Sequence, residues 1–165
     1  GGGPLGLRAQ GGRQRDRHLT RADGQHLEHL AVVARLGFDS LSHYQFVHFV
    51  DVNRDYPAIT ADAAGAWEAF EQASPVPYFA HVSVGWDDNP RFNHVRSKVV
   101  HDNTPANVEH ALRQAKAYAD ARPQQPPLIT INSWNEWTET SYLQPDDRHG
   151  YGYLQAVRRV FGASR

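Results

Sequence analysis

The segment Ile129-Thr130-Ile131-Asn132-Ser133-Trp134-Asn135-Glu136-Trp137-Thr138-Glu139 runs from an apolar, strand-like stretch into two tryptophans, an asparagine and two glutamates. Glu136 and Glu139 fall where the strand should end, which in parallel α/β folds is the face that holds active sites. Two carboxylates near one point are what cleavage of a glycosidic bond requires. One protonates the leaving oxygen while the other acts at or beside the anomeric carbon. A strand continuing through Glu139 would send the two side chains to opposite faces, so they converge only if the chain turns directly after Trp137. Trp134 and Trp137 suit stacking against the apolar faces of sugar rings, and Asn135 can hydrogen-bond a ring hydroxyl. The same residues also read as a strand end with solvated glutamates and core tryptophans.

A second cluster, Gly85-Trp86-Asp87-Asp88-Asn89-Pro90-Arg91, follows the preceding strand-like run and so opens onto the same face. Gly85 permits an unusual backbone turn and Trp86 offers a stacking platform. Asp87 and Arg91 can fix hydroxyls, each other or a substrate anion. An ordinary Asp-Asn-Pro turn with an Arg–Asp pair fits these residues equally well.

Other signals are discounted. Asp51, Asn53 and Asp55 resemble the start of a calcium loop, but Tyr56 stands at the obligatory glycine and Asp62 at the closing glutamate. Ten histidines are scattered, with His26 and His29 the nearest pair, and no His-Glu-x-x-His pattern appears. Walker-type loops, nucleophile elbows and strand-following Gly-x-Gly-x-x-Gly are absent from the sequence, which leaves nucleotide binding and serine hydrolysis without support. The reading calls for no metal and no cofactor.

The elements that must position the two clusters follow from periodicity. Leu27, Leu30, Ala31 and Ala34 recur at helical spacing, with Gly37 as the residue after the helix. Runs over Leu41–Val50, Pro77–Val84 and Leu128–Trp134 read as strands. Ala63, Ala66, Trp67 and Phe70 mark a second helix. Thr104-Pro105 opens a third, carrying Val108, Ala111, Leu112, Ala115 and Ala119 and stopped at Arg122-Pro123. Leu154, Val157 and Phe161 mark a last helix closed by Gly162. Alternating strands and helices are the signature of parallel βα units. The strand centres are roughly 36 and 50 residues apart, near or above the ~31 per unit of a (β/α)8 barrel of about 250 residues. Three units are too few to close a barrel, so the expected fold is a small open α/β sheet or the C-terminal part of a (β/α)8 barrel.

The chain has 165 residues, 17 basic and 18 acidic side chains, no Cys and no Met. Its length allows one domain with a sizeable core. The charge balance excludes bulk attraction to nucleic acid or anionic membrane as its main business. No apolar run approaches about 18 residues, which predicts a soluble chain without a membrane span. The lack of any Met reads as a fragment or a processed piece. Residues 1–25 hold seven of the 13 glycines and five of the 15 arginines. That composition predicts a disordered tail, without the apolar core of a secretory leader. Residues 26–165 are the folded part.

Taken together, Val84 to Arg91, Ile131 to Glu139, Tyr142-Leu143-Gln144-Pro145-Asp146 and Gly150-Tyr151-Gly152-Tyr153-Leu154 resemble the glycoside hydrolase family 99-like proteins. That group includes the WbsX-type proteins of bacterial polysaccharide loci, often labelled glycosyltransferases. The resemblance runs from about Leu27 to Gly162. It implies a (β/α)8 barrel acting on an oligo- or polysaccharide, with this chain supplying its last strands. In the endo-α-mannosidases of that family the strand-end motif is Glu-Trp-His-Glu. Its second Glu is the acid/base, and its first deprotonates the sugar 2-hydroxyl, with net retention through an anhydro-sugar. Carried over, those roles fall on Glu139 and Glu136. This sequence departs from the pattern at Thr138 (His in the endomannosidases), Thr140 (commonly Gly) and Gln144 (often Glu).

The resulting expectation is a retaining glycoside hydrolase-like enzyme. Trp86, Asp87, Arg91, Trp134, Asn135 and Trp137 would line the sugar site, and Tyr44, at the end of the first strand, would stand at its margin. Glycosyl transfer in surface-polysaccharide assembly and a non-catalytic sugar-binding or truncated relative are the alternatives.

Overall fold

Four short strands form two parallel pairs in the computed structural model, which describes residues 32–33, 35–96 and 98–162. β1 (Leu41–Ser42) pairs in parallel with β2 (Tyr78–Phe79). β3 (His81–Ser83) follows β2 after Ala80 alone and pairs in parallel with β4 (Thr130–Asn132). β5 (Asn135–Glu136) and β6 (Ser141–Tyr142) form an antiparallel hairpin beyond β4. Helix α1 (Tyr56–Ala73) lies between β1 and β2, α2 (Pro105–Asp120) between β3 and β4, and α3 (Gly152–Phe161) follows β6, giving a mixed α/β fold. None of these helices is long and apolar enough to cross a membrane. The expected tail over residues 1–25 and the stripe of Leu27, Leu30, Ala31 and Ala34 lie outside the described residues. Gly37 adopts φ 78°, the left-handed conformation expected just past a helix.

Each helix has a sequence reason. α1 buries Tyr56, Ile59, Ala63, Ala66, Trp67 and Phe70 at helical spacing. Thr104 caps α2 by accepting from the Asn107 amide at 3.3 Å, and Pro105 occupies the first helical position, where no amide is needed. Val108, Ala111, Leu112 and Ala115 then join Ile59, Val82 and Val84 in one core. The α1–α2 contact is locked at its edge by Arg122, which forks onto Glu71 and lies over the Tyr118 ring. Arg159 of α3 reaches Glu109 of α2 at 2.6 Å.

Two expectations need correction. The first strand ends at Ser42 instead of continuing to Val50, and Phe46–His48 form a 3-10 turn. The Phe46 amide is taken by the side-chain oxygens of Gln45 and Ser83, at 2.8 and 2.9 Å, so it has nothing left to donate to a ladder. α3 is rolled by one residue. It buries Tyr153, Ala156 and Val160, not Leu154, Val157 and Phe161. The Tyr153 hydroxyl donates to the Asn103 carbonyl at 2.8 Å and its ring meets Tyr142 and His149, which turns that face inward.

The strands meet through polar side chains. Ser42 Oγ lies 2.7 Å from Thr130 Oγ1, and His81 Nδ1 lies 2.9 Å from the same hydroxyl. His81 Nε2 lies 2.9 Å from Ser83 Oγ. Burial, with a smaller contribution from His48, pushes the His81 imidazole down to about 4. The unfolded chain, with an ordinary imidazole near 6.5, therefore takes up the proton first as pH falls. Stability present above about pH 6.5 is expected to drain away towards pH 4, by about 3 kcal/mol at the limit. Thermal melts across that range check it. His81→Gln should remove this part of the slope, and an unchanged slope in the variant would count against it.

Candidate active site

The loop after β3 and the hairpin after β4 are tied together by backbone and buried polar groups. The Val84 amide donates to the Asn132 carbonyl at 2.7 Å, and the Asp87 amide to the Glu139 carbonyl at 2.8 Å. Ser141 Oγ donates to the Asn132 carbonyl at 2.9 Å and accepts from the Gly85 amide at 3.2 Å. Gln45, fully buried, donates to both the Gly85 carbonyl and Asn132 Oδ1, so the ends of three strand segments share one amide. Gly85 is required for close approach instead of the unusual turn expected of it. A Cβ there would stand 2.5 Å from the Thr140 carbonyl oxygen and 2.7 Å from Asn103 Nδ2.

The turn that the carboxylates need is present. Glu136 ends β5, Trp137–Glu139 form a 3-10 turn, and β6 returns beside β5. Ser133 Oγ accepts from the Glu136 amide at 2.9 Å and donates to the Ser141 carbonyl at 2.8 Å, which fixes the entry to the hairpin. Thr140 closes the turn at φ 52°. A β-branched residue is strained in that left-handed region, by roughly 1–2 kcal/mol, and its hydroxyl bond to the Asp87 carbonyl offsets part of this. Thr140→Gly is expected to leave the turn in place and raise stability by about 1 kcal/mol, read as a higher denaturant midpoint. A lower midpoint would show that the hydroxyl bond outweighs the strain.

Arg91 joins the two glutamates. It sits in the 3-10 turn Asn89–Arg91, whose start is fixed by Asp87 Oδ1 accepting from the Asn89 amide and side chain. Its Nη1 donates to Glu139 Oε1 at 2.9 Å, Nη2 to Glu136 Oε1 at 3.2 Å and Nε to Thr138 Oγ1 at 2.8 Å. Thr138 in turn donates to Glu136 Oε1 at 2.6 Å. One guanidinium fork separates the two carboxylates, which keeps them within the roughly 9.5 Å that bounds glycosidase pairs.

The two carboxylates differ in setting. Glu139 is 4% exposed, and its Oε2 is buried with no hydrogen-bond partner among the described residues. Glu136 is partly open. The Thr138 hydroxyl above all, with Arg91 adding to it, holds its carboxyl below the usual carboxylate range against the opposing effect of desolvation.

The remaining sequence candidates divide. Trp134 and Trp137 are exposed, Trp137 with its ring 4.0 Å from that of Tyr142. Asn135 is exposed on β5. Trp86 is half-buried against the core, and its indole N–H finds no partner among the described residues. Asp87 serves its own turn and makes no pair with Arg91. The ion pair in that loop joins Asp88 and Arg96 at 3.1 Å. Tyr44 lies past β1, exposed, with its ring near His48 and no bond to the Arg91 group. Sequence reasoning gave no role to Gln45, Ser133 or Ser141, and saw Thr138 only as a departure. A glutamine inside an aromatic run was the available signal for Gln45.

A family model described as glycosyltransferase WbsX matches residues 17–157, which takes in every residue of this site. The chain belongs to the WbsX family. Protein WxcX of Xanthomonas campestris pv. campestris is 31% identical over 118 residues, covering 66% of this chain and 16% of that protein. WxcX of a second strain is 34% identical over 86 residues, covering 48% of this chain and 11% of that protein. The chain thus spans less than a fifth of the length of these curated relatives.

Proposed function

We propose that Glu136 and Glu139 are the working carboxylates of a carbohydrate-active enzyme of polysaccharide assembly, acting on a glycosidic bond with retention. The carrying observation is the Arg91 fork, which brings both carboxylates to one place while leaving Glu139 Oε2 buried and without a partner among the described residues. Oε2 is the oxygen free to hand over a proton. Glu139 protonates the leaving oxygen as the C1–O bond breaks, and Glu136 takes the proton of the sugar 2-hydroxyl whose oxygen closes on C1. Water then opens the anhydro ring at C1, giving its proton back to Glu139, while the 2-oxygen recovers its own from Glu136. Charge supports the division of labour, because a base must be ionised and Glu136 is held so.

The same reading takes residues 26–165 as part of a (β/α)8 barrel and residues 1–25 as a tail. Its support is the parallel pairing of β1 with β2 and β3 with β4, and the meeting of Ser42, His81 and Thr130 as an inner polar layer. Trp134, Asn135 and Trp137 line the sugar site. A second reading, glycosyl transfer, is favoured by the family's description. An acceptor hydroxyl in place of water at the second step converts one reaction into the other.

The test uses the full-length protein with oligosaccharide fragments of the host's own surface polysaccharide. Release of a reducing end of retained configuration, lost in both Glu136→Gln and Glu139→Gln, supports cleavage. Elongated glycan without free sugar supports transfer. Product formation unaffected by either substitution overturns the pair.

A further inference from the structure

Trp137 is held in a fixed pose by groups that the acid/base chemistry does not use. Its ring stands 4.0 Å from that of Tyr142, tilted by 30°. Its indole N–H donates to Gln144 Oε1 at 2.9 Å. Each of these two supports is itself tethered. The Tyr142 hydroxyl donates to Asp146 Oδ2 at 2.9 Å, and the Gln144 amide donates to the Trp134 carbonyl at 3.2 Å. Asp146 also accepts from the amides of His149 and Gly150. The indole therefore has one face covered, its polar edge satisfied and its rotation blocked, yet the residue is 46% exposed. An indole that served packing alone would turn that area inward, since aromatic rings contribute most when buried.

We propose that the open face of Trp137 is a preorganised platform for an uncharged pyranose ring, the ring next to the bond that Glu136 and Glu139 act on. Three observations carry this. The platform begins the turn that ends at Glu139, so a ring on it lies along the same hairpin as the carboxylates. The face of an indole is the negative side of its quadrupole, and the axial C–H bonds of a pyranose carry the complementary positive charge. Fixing the ring beforehand removes the ordering cost that a mobile side chain would incur on binding.

The restriction to uncharged sugars follows from what borders the platform. Glu136 precedes Trp137 and is held ionised. Asp146 accepts from the Tyr142 hydroxyl at 2.9 Å. Burial raises its carboxyl, but the bonds from the His149 amide and the Tyr142 hydroxyl outweigh this and leave it below the usual carboxylate range. The cations of the group are Arg91, already engaged by two carboxylates, and Arg148, whose charge reaches Tyr142 and whose backbone amide donates to Asp146. A uronate would thus meet the like charge of Glu136 and Asp146, with Arg148 as the one cation of that group outside the Glu136–Glu139 fork.

Gln144 becomes a positioning residue, acting through Trp137. The sequence departs here from the Glu often found before the proline, and a glutamate at 144 would accept the same indole proton while adding charge.

The inference rests on the proposed sugar site, and its test separates the two. The full-length protein is titrated with neutral tetrasaccharides of glucose, galactose, mannose and rhamnose, and with tetragalacturonate. Binding is followed by ligand-observed NMR in a Glu139→Gln background. At least one neutral probe should bind, with tetragalacturonate at least tenfold weaker. Trp137→Ala should weaken that probe by tenfold or more, and Gln144→Leu by about threefold to tenfold. Gln144→Glu should recover most of the loss for the neutral probe. Failure of every neutral probe, binding in Trp137→Ala within twofold of the parent, or equal affinity for tetragalacturonate would each overturn the platform. So would indole fluorescence showing Trp137 shielded from acrylamide in the full-length protein, because another segment would then cover it. Loss of binding in Trp137→Ala together with full turnover in Glu139→Gln would keep the platform and remove the carboxylate pair. The reverse pattern would remove the platform alone.

Discussion

Glu139→Gln in the full-length protein is expected to lower turnover by roughly 10²–10⁴-fold while affinity for the oligosaccharide stays within a few-fold. The amide keeps the shape of the carboxyl, and its oxygen can still accept from Arg91 Nη1, as Glu139 Oε1 does at 2.9 Å. What it loses is an exchangeable acidic proton at the buried Oε2 position, which has no donor among the described residues. A loss confined to turnover therefore reports chemistry and not shape. The measurements are kcat and KM on a substrate that the parent protein turns over, with a melting curve to confirm that the variant is folded. Turnover near that of the parent sinks the assignment of Glu139. A melting temperature lowered by many degrees would instead mean that the buried carboxylate mattered to folding. Glu136→Gln separates two routes. If the sugar 2-hydroxyl must be deprotonated, it loses as much as Glu139→Gln. If Glu136 only steadies positive charge, the loss is smaller and turnover persists.

The three described helices were legible in the sequence because each carries a one-sided apolar stripe. The stripe of Val108, Ala111, Leu112 and Ala115 after Thr104-Pro105 became α2 as expected. The stripe proposed for α3 was displaced by one residue, since Tyr153 and Leu154 are both apolar enough to face inward. A hydroxyl bond to Asn103, 50 residues away, decides between them. Periodicity within one helix contains no information about such a partner. The same limit shortened the first strand, where Gln45 and Ser83 remove the donor that a ladder would use.

At the site, local spacing gave the convergence of Glu136 and Glu139 as a condition, a turn after Trp137, and the structure meets that condition. It did not give the agent of the convergence. Arg91 and Glu139 are 48 residues apart, and nothing in either cluster alone says that they touch. Gly85 was singled out for the right position and the wrong reason. Its role depends on a carbonyl from Thr140, which belongs to the other cluster. Chemistry carried by one segment was readable, and chemistry assembled between segments was not.

Arg91→Leu should show what that assembly contributes. Arg91 Nη1 is the donor to Glu139 Oε1, and the Glu139 side chain is only 6% exposed. Removing it leaves the buried Oε1 of Glu139 without that donor, at a cost of about 1–3 kcal/mol. The pair also loses the fork that sets its separation, and a misplacement of about 1 Å is enough to cost roughly 10²-fold in rate. The pH profile gives the sharper reading. Glu136 is held ionised first by the Thr138 hydroxyl and then by Arg91, so loss of Arg91 moves its titration upward while Thr138 keeps part of the effect. A base works only when ionised, so the acid limb of kcat/KM should move to higher pH in Arg91→Leu. Activity is then lost at mildly acidic pH where the parent protein retains it. Arg91→Lys separates charge from geometry. A lysine restores a positive charge beside Glu136 but cannot donate to Glu136, Glu139 and Thr138 in one plane. It should bring the acid limb back towards its original position while recovering only part of the turnover. An Arg91→Leu protein with an unmoved acid limb and turnover within twofold of the parent would show that the two glutamates find their places without the fork.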